Sequence, residues 1–153
     1  MLVMGTPGER RLDKPPSERY QVVSEPEAPA HGSSARAVAP GAGAAVAWAF
    51  LTVVFGGVLL ITAGLLVLAG AFGRVIALAV AWGGGPALAT RTRLALVLVL
   101  VGAGFVLGQL GLWAYARAEG GVLAPLDHLI TTYGIVVPLQ LAIALAVAWW
   151  SAR

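Results

Sequence analysis

The sequence contains no cysteine. Disulfides, thiolate metal sites, iron–sulfur clusters and covalent haem attachment through C-x-x-C-H are thereby excluded. Charge is nearly as scarce: Lys and Arg number 10, Asp and Glu 7, and charged residues make up 11% of the 153-residue chain against 59% hydrophobic. An ordinary soluble domain carries about 25% charged residues. A water-soluble globule of this size leaves about a third of its unfolded surface exposed, and so few charges cannot cover it. The composition therefore predicts an all-α integral membrane protein, a helical bundle preceded by an N-terminal tail.

The net charge of +3 is unevenly distributed. In residues 1–43 the bases Arg10, Arg11, Lys14, Arg19 and Arg36 are balanced by Glu9, Asp13, Glu18, Glu25 and Glu27. The remainder sets Arg74, Arg91, Arg93, Arg117 and Arg153 against Glu119 and Asp127. These arginines fall at the ends of apolar runs, a pattern that reports membrane orientation rather than nucleic-acid binding. No basic patch with interleaved aromatics is present.

Residues 1–43 are rich in proline and mixed charge, which predicts a disordered cytoplasmic tail. No apolar core follows the Arg10-Arg11 pair, so neither a secretory nor a twin-arginine signal is expected. Within the tail, residues 18–23 could add to a partner as a strand, though a plain linker is the simpler reading. His31 lies in the same region.

Three long apolar runs predict full spans over residues 44–69, 94–116 and 126–150. The first would reach roughly 39 Å as a helix, enough to cross a hydrocarbon core with tilt. Trp113, Tyr115, Trp149 and Trp150 suit the aromatic belt at the headgroup level. Between the first two runs, residues 74–89 are interrupted by Gly83-Gly84-Gly85-Pro86 and read as a short membrane-embedded or interfacial helix. No Lys-Ser or Lys-Thr follows these glycines, so they are a turn and not a phosphate cradle. If this segment enters the membrane, the tail, Arg91, Arg93 and Arg153 share one side, which the positive-inside rule favours as cytoplasmic.

Catalysis and coupled transport at membrane depth need ionisable groups, and the three spans hold none away from their ends. An enzyme is not expected. Gly102, Gly104, Gly108 and Gly111 fall in one span, Gly104 and Gly108 at the G-x-x-x-G spacing that lets helices approach closely, with Gln109 available to hydrogen-bond a neighbour. Pro138 removes a helix bond opposite Gly134, which predicts a kink, either static or a hinge.

Asp127 and His128 form the single acid and imidazole pair near the membrane. Asp127 can cap the last span, and His128 can sit in the headgroup layer without a ligand. The sharper alternative makes His128 and Tyr133 a cofactor site, with His128 as axial ligand to haem or chlorophyll or as a hydrogen-bond partner of a quinone. The expected partners are the lipid bilayer and other integral membrane subunits, with no nucleic acid and no resident cofactor. The function expected is a structural or accessory subunit of a larger complex in a bacterial inner membrane. Two alternatives are a cofactor- or quinone-contacting subunit of an electron-transfer or light-harvesting complex, and a small self-associating pore or carrier.

Overall fold

The computed structural model describes residues 33–153 apart from Ala87 and Val122. Most of the expected tail, including residues 18–23 and His31, lies outside the described residues. The regular elements of this range are helices, in the order α1 (Ser34–Thr52), a π-helical turn (Val53–Val58), α2 (Thr62–Gly84), α3 (Thr90–Ala118), α4 (Pro125–Thr132) and α5 (Val136–Ala152). Three helices, α1 with its π turn, α2 and α3, are long and apolar enough to cross a membrane. The pair α4 and α5, bent by 92°, would make a fourth crossing if it acts as one span.

The boundaries differ from those read off the hydropathy. Helix α1 begins within the expected tail, because the Ser33 hydroxyl caps it by accepting from Arg36 N at 3.1 Å. Pro40 inside α1 cannot donate to the Arg36 carbonyl. Gly83 of α2 packs over that freed carbonyl, and a Cβ there would also meet Pro40 Cγ at 2.7 Å.

The uninterrupted apolar run from 44 to 69 is not one helix. At Val53–Val58 the turn widens, Leu59 N bonds Val54 O and Ile61 N bonds Phe55 O, each at 2.9 Å, and Leu60 adopts a left-handed φ of 54°. The physical reason is packing from outside. A Cβ on Gly56 would meet Leu112 Cδ2 at 3.0 Å, and one on Gly57 would meet Tyr115 Cδ1 at 2.9 Å. Two bare backbone positions thus let α3 press its side chains onto the end of the first span, and the chain reverses within three residues. Residues 74–84, expected in a separate short element, are consequently the second half of α2. The short helix of the fold is instead α4, which turns nearly perpendicular to α5 and leaves Leu126 and Ile130 exposed on one side. That geometry suits a helix lying in the membrane interface.

Close contacts bring Ser34, Gly84, Thr90 and Ala152 to one end of the bundle. Gly83 sits on Arg36, Gly84 faces Ala37, and Arg93 Nε donates to Ala152 O at 3.1 Å, capping α5 from α3. Both ends of the described chain thus share one face. The core joins the four long helices through Trp48 stacked on Phe72, with centroids 4.2 Å apart, and through Ala45, Ile76, Val80, Val97, Val101, Ala144 and Ala148. The tightest approach is α2 on α5. A Cβ on Gly73 would strike Ala144 O and lie 2.9 Å from Ala148 N. In lipid, where the surroundings are as apolar as leucine, such backbone contact supplies the association that the hydrophobic effect supplies in water.

Gly73→Ala is therefore expected to lower stability by about 1–3 kcal/mol, as overpacking does. Gly102→Ala, with nothing within 4 Å of its Cβ, should be neutral or stabilising by up to about 1 kcal/mol through helix propensity. Thermal unfolding of the two variants in mild detergent distinguishes them; equal losses would mean that the α2–α5 contact is loose.

Candidate functional site

The glycines of α3 divide by direction. Gly104 lies under Phe72 and Ala45, where a Cβ would come within 2.7 Å of Phe72 Cζ and 3.0 Å of Ala45 Cβ. Gly108 faces Thr52, with 3.3 Å to its Cβ, and Gly111 faces Val53 Cγ2 at 2.7 Å. All three lie against α1 and its π turn or α2, inside this chain's own bundle. Gly102, expected on the same packing face, has no neighbour: two residues from Gly104, it points elsewhere on the helix.

Next to Gly108, Gln109 turns inward to Gln140 of α5, and both are buried. Gln109 Nε2 donates to Gln140 Oε1 over a long 3.4 Å, leaving Gln109 Oε1 and Gln140 Nε2 without partners. The pair is a polar link between α3 and α5.

The kink in the last segment is displaced from Pro138. Gly134, at φ +51°, takes the left-handed turn between α4 and α5, while Pro138 is the third residue of α5. In a first helical turn an N–H has no helical acceptor, so proline there breaks nothing. At the same corner Tyr133 donates its hydroxyl to Gly56 O of the π turn at 3.0 Å. Two irregular backbones are thereby fastened to each other.

The two residues expected to share a cofactor, His128 and Tyr133, lie side by side at this corner. His128 meets Tyr133 only edge-on, with centroids 6.1 Å apart. Its Nδ1 pairs with Thr132 Oγ1 at 3.3 Å, and Nε2 is buried without a partner. The imidazole lines a cavity of about 120 Å³ with Trp113, Ala116, Arg117, Gly121 and Leu123. Arg117 stacks over Trp113 at 5.5 Å, and Trp113 Nε1 donates to Leu123 O at 3.1 Å, closing the niche from the α3 side. Asp127 makes no capping bond. Ala124 is the N-cap, Pro125 opens the helix, and Asp127 lies in the first turn, where its charge can only favour the helix dipole.

Arg74 was expected at a membrane boundary and stands instead in the middle of α2, on its exposed face. Twelve residues separate it from Thr62 and ten from Gly84, or roughly 18 Å and 15 Å along the axis. A charged side chain at that depth costs about 2.5–3.5 kcal/mol even on insertion scales. Among the described residues the carboxylates are Glu119 and Asp127, and both stand at the opposite end of the bundle from Gly84. Glu119 moreover accepts from Tyr115 at 2.7 Å. The sequence held a signal for this position: Gly83-Gly84-Gly85-Pro86 is a helix stop, and a full span counted back from it is centred near Arg74.

Comparison with protein-family models, with curated proteins and with solved structures finds no match for the chain.

Replacing one glutamine by leucine should strand its partner and lower stability by about 1–3 kcal/mol, whereas the Gln109→Leu/Gln140→Leu pair should fall close to wild type. A double-mutant cycle of unfolding in detergent measures this coupling. Additive losses would show that the amides do not act on each other.

Proposed function

We propose that the chain is a structural or accessory subunit of a larger membrane complex, in a membrane of the bacterial inner type, and not an enzyme. The observation that carries the reading is Arg74, a charge held outward at mid-helix by a bundle that offers it no acid among the described residues. A charge so placed is costly unless something outside the bundle receives it. The interior agrees with a packing role. Its buried polar side chains are Thr52, Gln109 and Gln140, which stand at helix contacts, and among the described residues no three metal-ligating side chains gather.

Orientation follows from the arginines. Arg36, Arg91, Arg93 and Arg153 flank one end of the bundle and Arg117 the other, so the end holding both chain termini of the bundle faces the cytoplasm. Cysteines introduced at Ser151 and at Gly32 should react from the cytoplasmic side, and one at Gly120 from the other side. Labelling of positions 32 and 151 from opposite sides would refute the arrangement. The accessory role itself is tested by native mass in mild detergent: the wild-type chain should migrate with further polypeptides, and a discrete monomer or pure homo-oligomer from its native membrane would count against it.

A second reading, contact with a quinone or pigment, has the unpartnered Nε2 of His128 in its favour. On the accessory reading His128→Ala leaves the absorbance of the purified material unchanged. A visible band lost specifically in that variant, with the protein still folded, would reverse the order of the two.

A further inference from the structure

The outward face of α2 is a single stripe. Val67, Ala71, Arg74, Leu78 and Trp82 follow one another at three- and four-residue steps and are all exposed, Val67 at 77% and Trp82 at 83%. Beside this stripe, between α1 and α2, runs an apolar groove of about 140 Å³, walled by Ala44, Ala47, Leu51, Leu68, Ala71 and Val75. Ala44 and Ala47 on one wall and Ala71 on the other leave room between the larger side chains for those of a third helix.

Building on the accessory reading, we propose that this face receives a transmembrane helix of a different protein, one that carries an aspartate or glutamate near mid-depth as the partner of Arg74. A guanidinium has five donors and no acceptor, and its fork matches a carboxylate in a bidentate pair. The partner cannot be a second copy of this chain docking through the same face, because that would bring Arg74 toward Arg74. The carboxylates of the bundle, Glu119 and Asp127, lie at its end and not at the depth of Arg74. Nor is a lipid phosphate the natural partner, since Arg74 is nearly three helical turns from the closer end of α2. The groove takes the partner's apolar side chains and the arginine sets its register, the division of labour expected of complementary charge in an interface.

The test reconstitutes the full chain in phosphatidylcholine vesicles with a fluorescent leucine–alanine transmembrane peptide bearing a single central Asp, Asn or Leu, and reads association by energy transfer. The Asp peptide should bind about thirtyfold or more tightly than the Leu peptide. That preference should vanish in Arg74→Leu, weaken but remain in Arg74→Lys, which keeps the charge without the bidentate fork, and disappear when the Asp is moved to the end of the peptide. Because Arg74 lies on the outer surface, Arg74→Leu should insert and fold at least as well as the parent. Equal binding of Asp and Leu peptides, or an Asp preference that survives Arg74→Leu, overturns the proposal. A nitroxide on Arg74→Cys should report the bilayer centre; a headgroup depth would assign the arginine to lipid phosphate and overturn it as well. Recovery of the same partners from native membranes with wild type and Arg74→Leu would remove this inference and leave the accessory reading intact. Failure of the wild type to recover any partner would strike the accessory reading alone, the peptide result standing by itself.

Discussion

The backbone contact between α2 and α5 at Gly73 is the constraint from which the rest of the bundle follows. With no side chain at that position, α2 settles directly on Ala144 and Ala148. At its far end Gly83 settles on Arg36 and Pro40 of α1. These two approaches fix the rotation of α2 about its own axis. Phe72, Ile76 and Val80 then point into the core. The same rotation holds Arg74 outward, on the side that no other described helix covers. The arginine's exposure is thus a consequence of how tightly the opposite face is held.

Two stretches of irregular backbone meet within the bundle. Lipid supplies no hydrogen bonds, so departures from the helix must be satisfied from within the protein. The π turn and left-handed Leu60 end the first span, the Gly134 bend starts the last, and Tyr133 bridges them through Gly56 O. The bend also lets α4 lie across the end of the bundle, where Arg117, His128 and Asp127 can reach the headgroup layer. The π turn therefore works as the seat of a cross-bundle bond.

Chemically the interior is sparing. One glutamine pair joins α3 to α5, an apolar groove runs between α1 and α2, and a small niche beside Arg117 and His128 lies at one end. Neither the groove nor the niche offers a continuous polar path across the membrane. The distinctive chemistry is on the outside, in a charge at mid-helix beside an apolar groove. Among the described residues, this charge is left without an acid, and it points away from the bundle.

The helical membrane class, the placement of Arg91, Arg93, Arg117 and Arg153 at the ends of apolar runs and the close-packing role of Gly104 and Gly108 all follow from the order of residues, because hydropathy and small-residue spacing are local properties. The positions of the breaks do not. Residues 44–73 form one uncharged run, and nothing in their hydropathy separates Leu59–Ile61 from the helix on either side. That reversal is decided by Leu112 and Tyr115 pressing on Gly56 and Gly57, a contact between segments more than fifty residues apart. The same shift moves the phase of everything after it, carrying Arg74 from an expected boundary to the centre of a span. Likewise Pro138 marks a kink in the sequence, but only the docking of Tyr133 on Gly56 decides that the chain turns at Gly134 and that the proline falls harmlessly in a first turn. Local composition determines that these segments enter the membrane. Where each one starts, and which way its charge faces, depends on long-range backbone contacts that no window of hydropathy contains.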